Sequence, residues 1–91
     1  MTQAIAHIQT EQPERLVTRL SRHWGHRFPV SREEHHSDIE LPLGRCRLLS
    51  SSEGLTVELQ GRAEDMATLQ QVVADHLQRM AGREELVIRW Q

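Results

Sequence analysis

The chain has 91 residues, which is enough for one domain and too few for two, so a single domain is expected over residues 1–91. Hydrophobic residues make up 37% of the chain and charged residues 26%, a composition that excludes a disordered segment. The net charge is −2, and because a nonspecific nucleic-acid-binding surface must be basic, nucleic acid is excluded as an expected partner.

The first part of the chain predicts a strand and then a helix. Apolar residues alternate over residues 3–9, which is the period of a strand. Pro13 suits the first turn of a helix, and an apolar face follows it at helical spacing, formed by Leu16, Val17, Leu20 and Trp24. A helix is therefore predicted over about residues 13–24, and Gly25 is expected to end it in a left-handed conformation.

The middle of the chain changes to a period of two. Four short strands are predicted between Phe28 and Leu59, with turns in the polar run 33–37, at Gly44 and over residues 50–54. Short connections between successive strands favour an antiparallel meander.

Helical period returns after Gly61 and stops at Gly82. The apolar face of this second helix contains Ala63, Met66, Leu69, Val73, Leu77 and Met80. Residues 86–90 alternate again, which predicts a final strand. The order β-α-β-β-β-β-α-β predicts an α+β fold, a two-layer sandwich in which two helices pack on a mainly antiparallel sheet.

Three features bear on the compartment. No apolar run approaches the roughly 20 residues that a membrane-spanning helix needs. Residues 1–12 lack the basic and apolar regions of a secretory leader. Cys46 is the single cysteine, which excludes an internal disulfide and fits a reducing compartment. A cytoplasmic protein without a membrane span is therefore expected.

Histidine is the most informative residue type, because the chain has six. His76 falls on the apolar face of the second helix, where a partly buried imidazole either bonds to a backbone carbonyl or carboxylate or serves as a ligand. His23 and His26 flank the end of the first helix. They either donate to its free carbonyls or join His76 and Cys46 in a site for iron, zinc or haem, although the sequence requires no cofactor.

No set of residues predicts catalysis. Cys46 lies between two arginines, which would lower the pKa of its thiol, but it shares a strand face with Leu48 and is expected to be a small buried hydrophobic residue. His35 and His36 are expected to be solvated in a turn. The chain has neither a Gly-x-Ser-x-Gly elbow nor a phosphate-binding glycine loop, and it is not expected to be an enzyme.

Two charged segments have open interpretations. Arg15, Arg19 and Arg22 form a row on the first helix, which either binds an anionic ligand or acidic partner or is a solvated flank. Arg83 and Glu84 follow the second helix and are expected either to act as a structural clamp or to line a pocket.

Three stretches carry a resemblance to a known family. They are residues 23–30 (HWGHRFPV), residues 41–48 (LPLGRCRL) and residues 75–90. In order and spacing they resemble domain-of-unknown-function family 2218, a family of small bacterial domains. The sequence departs from the family pattern at Met80 and Gly82, where bulkier aromatic residues are expected.

The resemblance implies a bacterial cytoplasmic domain, found alone or attached to siderophore-interacting, flavin-reductase-like proteins. It implies no established activity. The leading hypothesis is a non-enzymatic accessory or binding domain in siderophore-iron uptake, with a siderophore-interacting reductase or another iron-uptake protein as partner. Its binding residues would be His23, His26, His76, Arg83 and Glu84. The alternatives are a metal- or haem-binding domain built on the histidines and a module that forms a homodimer through its sheet.

Overall fold

The computed structural model describes residues 1–91, and its elements follow the order strand, helix, four strands, helix. The strands are β1 (Thr2–Ile8), β2 (Val30–Arg32), β3 (His36–Leu41), β4 (Gly44–Ser51) and β5 (Gly54–Gly61). The helices are α1 (Pro13–Gly25) and α2 (Ala63–Ala81). The predicted α+β class is confirmed. Neither helix is long and apolar enough to cross a lipid bilayer.

All five strands form one antiparallel sheet, in the order β1-β5-β4-β3-β2. Strands β2 to β5 are the predicted meander, because each pairs with its neighbour in sequence. Strand β1 instead pairs along its length with β5, which places the start of the chain at one edge. The turn between β3 and β4 is Pro42–Leu43, and Gly44, which was expected in that turn, begins β4.

Both helices cover the same face of the sheet, and a core of 19 buried hydrophobic residues lies between the two layers. Helix α1 lies mainly over β3 and β4, and α2 lies over β5 and β1. The buried hydrophobic residues of the strands lie on one face, at every second position in β1, β4 and β5, so the period-two pattern marks the inner face. These residues are Ala4, Ala6, Ile8, Ile39, Cys46, Leu48, Leu55, Val57 and Leu59.

The predicted final strand at residues 86–90 is wrong, since no strand follows α2. One pair of backbone hydrogen bonds, between Ile5 and Gln91 at 3.1 and 2.8 Å, joins this segment to the edge of β1. Leu86 is nevertheless buried and Val87 is 62% exposed. The alternation of apolar residues therefore reports side-chain packing without the backbone ladder that defines a strand.

The predicted left-handed cap at Gly25 is also wrong. Gly25 is the last residue of α1, and the helix ends through His26 with φ −72° and ψ −19°. The backbone N–H groups of Arg27 and Phe28 both donate to the Trp24 carbonyl, at 3.0 and 2.8 Å, and this contact replaces a glycine cap. Helix α2 stops at Gly82, as predicted, and this glycine has a φ of +66° and a ψ of −117°.

A buried pair of hydroxyl groups joins α1 to β3. Ser21 Oγ donates to Ser37 Oγ at 2.7 Å, and Ser37 is fully buried. The Ser21→Ala substitution is expected to lower the free energy of unfolding by about 1–2 kcal/mol, because it leaves the Ser37 hydroxyl without a partner. Urea denaturation measures this change. Ser31→Ala, at an exposed position of β2, is the control, and equal midpoints for the two variants would contradict the prediction.

Candidate functional site

Three aromatic side chains meet where the two helices lie side by side. His23 and Trp24 come from the last turn of α1, and His76 comes from the second half of α2. The Trp24 ring centroid lies 4.9 Å from that of His76, and the two imidazole centroids are 5.4 Å apart. These are contact distances for aromatic rings. We call this group the His23–Trp24–His76 cluster.

The three rings of the cluster lie at different depths. Trp24 is 5% exposed and belongs to the core, His76 is partly buried, and His23 is exposed. Neighbouring residues on a helix point about 100° apart, so Trp24 follows the apolar face while His23 points toward its rim. The cluster therefore combines a buried indole with two imidazoles that a ligand can reach.

The His76 ring has a defined proton position. Its Nδ1 lies 2.8 Å from the carbonyl oxygen of Val72, one turn earlier in α2. A carbonyl oxygen only accepts hydrogen bonds, so Nδ1 must carry the proton. The neutral ring then presents Nε2 as an acceptor or a metal ligand. The backbone-carbonyl partner expected for a partly buried histidine is present, and one ring nitrogen remains available.

The other two predicted metal ligands lie elsewhere. Cys46 is fully buried on the sheet side of the core, where burial and the nearby Asp38 charge raise the pKa of its thiol to about 12. His26 is exposed beyond the end of α1. No three His, Cys, Asp or Glu side chains of the chain come together as a metal-binding group. Of the four predicted ligands, the structure brings His23 and His76 into contact.

Glu84 acts at the opposite end of α1 from the cluster. Its carboxylate accepts hydrogen bonds from Thr10 Oγ1 at 2.6 Å, Gln12 Nε2 at 2.9 Å and the Glu11 backbone N–H at 3.1 Å. These bonds hold the pKa of Glu84 below its ordinary value, and the bond from Thr10 has the largest effect. Of the two interpretations of this segment, a structural clamp or a pocket lining, these contacts of Glu84 are those of a clamp. Arg83 is exposed beside it. Because Glu84 contacts the residues before α1 and the histidines meet at the end of α1, the predicted binding residues do not form one group.

A row of unpaired arginines lies beside the cluster on the helix layer. The arginines that form ion pairs with carboxylates are Arg32, Arg45, Arg47 and Arg62. The exposed guanidinium groups of the helix layer take part in none, and they belong to Arg15, Arg19, Arg22 and Arg79. Arg19 donates instead to the Met80 carbonyl oxygen at 3.0 Å, which connects the row to α2. These positive charges are available to an anionic partner.

The open face of the sheet differs from the helix layer because its two arginines, Arg45 and Arg47, are in ion pairs. It holds a cavity of about 170 Å³ beside Arg45, Arg47 and Glu58. Arg45 pairs with Glu40 at 3.0 Å, and Arg47 pairs with Asp38 at 2.7 Å. The Arg47 pair lowers the pKa of the Asp38 carboxyl. Paired charges of this kind are typical of a solvated face.

A second polar cluster, which the sequence did not predict, connects α1 to the sheet. Glu14 Oε1 accepts hydrogen bonds from His35 Nδ1 at 2.8 Å and from Ser50 Oγ. A serine nucleophile would need a hydrogen bond to the histidine. Here both groups bond to the carboxylate instead, so the arrangement is structural. His35 is exposed, as expected for a turn, but it is not free of protein contacts.

The Glu14–His35 pair makes stability depend on pH. Hydrogen bonding to Glu14 and the charge of Glu34 raise the pKa of His35 above 6.5. The protonated ring therefore stabilises the fold below that pH, and this stabilisation is lost as the pH rises through the raised pKa. Hydrogen bonds from Ser50 and His35 lower the pKa of Glu14 below 4.5. The ionised carboxylate therefore stabilises the fold above that pH, and this stabilisation is lost on acidification. Both contributions are therefore present between pH 4.5 and 6.5.

We expect the Tm difference between the wild type and the His35→Asn variant to be largest within this interval and to shrink toward about pH 8. Thermal melts at low salt across the pH range measure it. His26→Asn is the matched control, because His26 is exposed and belongs to no ion pair. A Tm difference for His35→Asn that stays constant across the range would contradict the prediction.

Comparisons with known proteins agree with this fold and extend over nearly the whole chain. The family described as "Uncharacterized protein conserved in bacteria (DUF2218)" matches residues 5–91. The chain is also similar to the solved NMR structure of PA4090 from Pseudomonas aeruginosa, at 41% identity and a TM-score of 0.82. That match covers 100% of this chain and 96% of the other. No curated protein matches the chain.

Proposed function

This chain belongs to the DUF2218 family of uncharacterised proteins conserved in bacteria, and we propose that it is a non-enzymatic accessory domain that binds an acidic protein partner. The observation that carries the proposal is the unpaired arginine row of α1, Arg15, Arg19 and Arg22, beside the His23–Trp24–His76 cluster. Guanidinium groups bind carboxylates in a bidentate manner, and arginine is enriched at protein interfaces. The helix layer is the binding surface in this proposal.

Two groups of the chain most resemble catalytic residues, and the surroundings of each support the non-enzymatic part of the proposal. The Cys46 thiol is buried with its pKa raised to about 12, so it is a poor source of thiolate near neutral pH. The Ser50 and His35 side chains bond to Glu14 and not to each other. Neither group therefore supplies an activated nucleophile.

The class of partner follows from the family resemblance. We propose that the acidic partner is a siderophore-interacting reductase or another protein of iron uptake, and that the complex forms in the cytoplasm. The resemblance supports this assignment through the stretches 23–30 and 75–90, which contain all three residues of the cluster.

Calorimetric titration with the purified siderophore-interacting reductase of the same genome tests the proposed function. The double substitution Arg15→Gln/Arg22→Gln is expected to weaken binding by about tenfold or more and to flatten its salt dependence. Arg89→Gln is a charge control, because Arg89 is exposed, forms no ion pair and lies outside the helix layer. Equal losses in these two variants, or no binding by the wild type, would contradict the proposal.

A homodimer is a second candidate, and the edge of β1 favours it. The outer side of this edge strand is bonded to the rest of the chain through the single residue pair Ile5 and Gln91. An open edge of this kind can pair with a second copy. Sedimentation at increasing concentration tests this candidate, with His7→Pro expected to abolish the dimer because proline removes an N–H from the strand. A monomer at every concentration would exclude it.

A further inference from the structure

We infer that His23 and His76 form a two-histidine site for a divalent transition ion of the Cu²⁺ and Zn²⁺ class, completed by water or by a ligand from another molecule. The inference does not rest on the proposed function, because it uses neither the arginine row nor a protein partner.

The first argument is the distance between the two rings. Two imidazoles that bind one tetrahedral ion at nitrogen distances of about 2.0–2.1 Å place their ring centroids about 5 Å apart. The centroids of His23 and His76 are 5.4 Å apart, with an angle of 49° between the ring planes. Because one ring comes from each helix, an ion held by both would also connect α1 to α2.

The second argument is the hydrogen bond that orients His76. Metal-bound histidines commonly donate their other ring N–H to a backbone carbonyl or carboxylate, which selects the tautomer and holds the ring. His76 Nδ1 donates to the Val72 carbonyl oxygen at 2.8 Å, so Nε2 is the ligating nitrogen. The Trp24 ring packs against the same imidazole at 4.9 Å and limits its rotation. One of the two ligands is therefore preorganised before any ion arrives.

The third argument concerns which ion fits and how tightly. Imidazole nitrogen suits copper, nickel and zinc, and the affinity of a given site is highest for Cu²⁺. No third His, Cys, Asp or Glu side chain joins the pair, so water or a ligand from another molecule would fill the remaining coordination positions. The positive charges of Arg19 and Arg22 lie on the same part of α1 and oppose a cation. We therefore expect a Kd for Cu²⁺ on the order of micromolar.

Quenching of Trp24 fluorescence by Cu²⁺ tests the site. The chain has two tryptophans, so the Trp90→Phe variant leaves Trp24 as the single reporter, 4.9 Å from the His76 ring. In this background, without an affinity tag, Cu²⁺ is expected to quench the emission saturably at one equivalent. Zn²⁺ is expected to compete with the quenching, because it takes the same ligands.

Matched substitutions assign the ligands. His23→Ala is expected to raise the apparent Kd by about tenfold or more. Because His23 is exposed, the circular dichroism and Tm of the metal-free variant should stay unchanged. The double variant His35→Ala/His36→Ala removes two other histidines and is expected to bind Cu²⁺ as the parent does. His76→Gln should lose binding as His23→Ala does, with its metal-free Tm measured alongside.

Three outcomes would overturn the inference. They are no saturable quenching by Cu²⁺, quenching that survives His23→Ala unchanged, and quenching that is lost in the His35→Ala/His36→Ala control. Arg22→Gln separates this site from the proposed function. It is expected to tighten Cu²⁺ binding by removing a positive charge, whereas it should weaken the binding of an acidic partner.

Discussion

The Leu77→Ala substitution is expected to lower the free energy of unfolding by about 3–5 kcal/mol. Leu77 is fully buried in the core that joins α2 to the sheet. Truncation removes its apolar contacts and leaves a cavity that the layers on either side can fill only in part. At about 0.05–0.15 kcal/mol per residue, a domain of this size has a total stability of roughly 5–14 kcal/mol, so one core side chain accounts for a large share of it.

Urea denaturation with a linear extrapolation measures the loss, and the Tm should fall by more than about 10 °C. The control is Val87→Ala, which truncates a side chain that is 62% exposed and should change stability by less than about 0.5 kcal/mol. A loss below about 1 kcal/mol for Leu77→Ala would mean that the two layers do not enclose this position.

The fold class could be predicted because the core residues follow the periods of their elements. The predicted first helix, about 13–24, differs by one residue from α1 (Pro13–Gly25). The same logic failed after α2, because an apolar alternation records which side chains face inward and not whether a neighbouring backbone is paired. Leu86 and Val87 alternate in burial, yet the segment meets β1 through one residue pair.

The pairing of β1 with β5 could not be predicted, because it joins residues far apart in the chain. Thr2 lies opposite Gly61, and no local pattern carries that register. The same limit applies to the polar contacts. The Glu84 carboxylate bonds to Thr10 across 74 positions, and Ser50 bonds to Glu14 across 36. In the sequence, Glu84 had two interpretations, a structural clamp and a pocket residue, and no local pattern there identifies Thr10 as its partner or Glu14 as the partner of Ser50.

The candidate site was predicted in part, because the helical spacing of apolar residues places two of its members on or beside a buried helix face. His76 falls on the apolar face of its helix, and His23 precedes a core tryptophan. Nothing in the sequence showed that these two rings would meet, since that depends on the antiparallel arrangement of α1 and α2. Cys46 was included among possible ligands on residue type, and it is buried on β4, as the strand face that it shares with Leu48 predicted.

The Gly44→Ala substitution is expected to lower the free energy of unfolding by roughly 3–5 kcal/mol. Gly44 begins β4 opposite Gly61 and has a φ of +156°. A Cβ atom at this position would lie 2.1 Å from the Gln60 carbonyl oxygen and 3.0 Å from Leu69 Cδ2. The carbonyl belongs to the backbone of β5 and cannot move aside without disturbing the ladder between the two strands.

Gly82→Ala is the matched control, because it separates the cost of the backbone conformation from the cost of the close contact. Gly82 also has a positive φ, +66°, but a Cβ there would meet nothing within 4 Å. Its substitution is therefore expected to cost about 1–3 kcal/mol from strain alone, less than that of Gly44. Equal losses in the two variants, measured by urea denaturation, would contradict the steric argument. A larger loss for Gly44→Ala would show that glycine is required at the start of β4 by the approach of β5 and α2, whereas the sequence alone suggested only a turn.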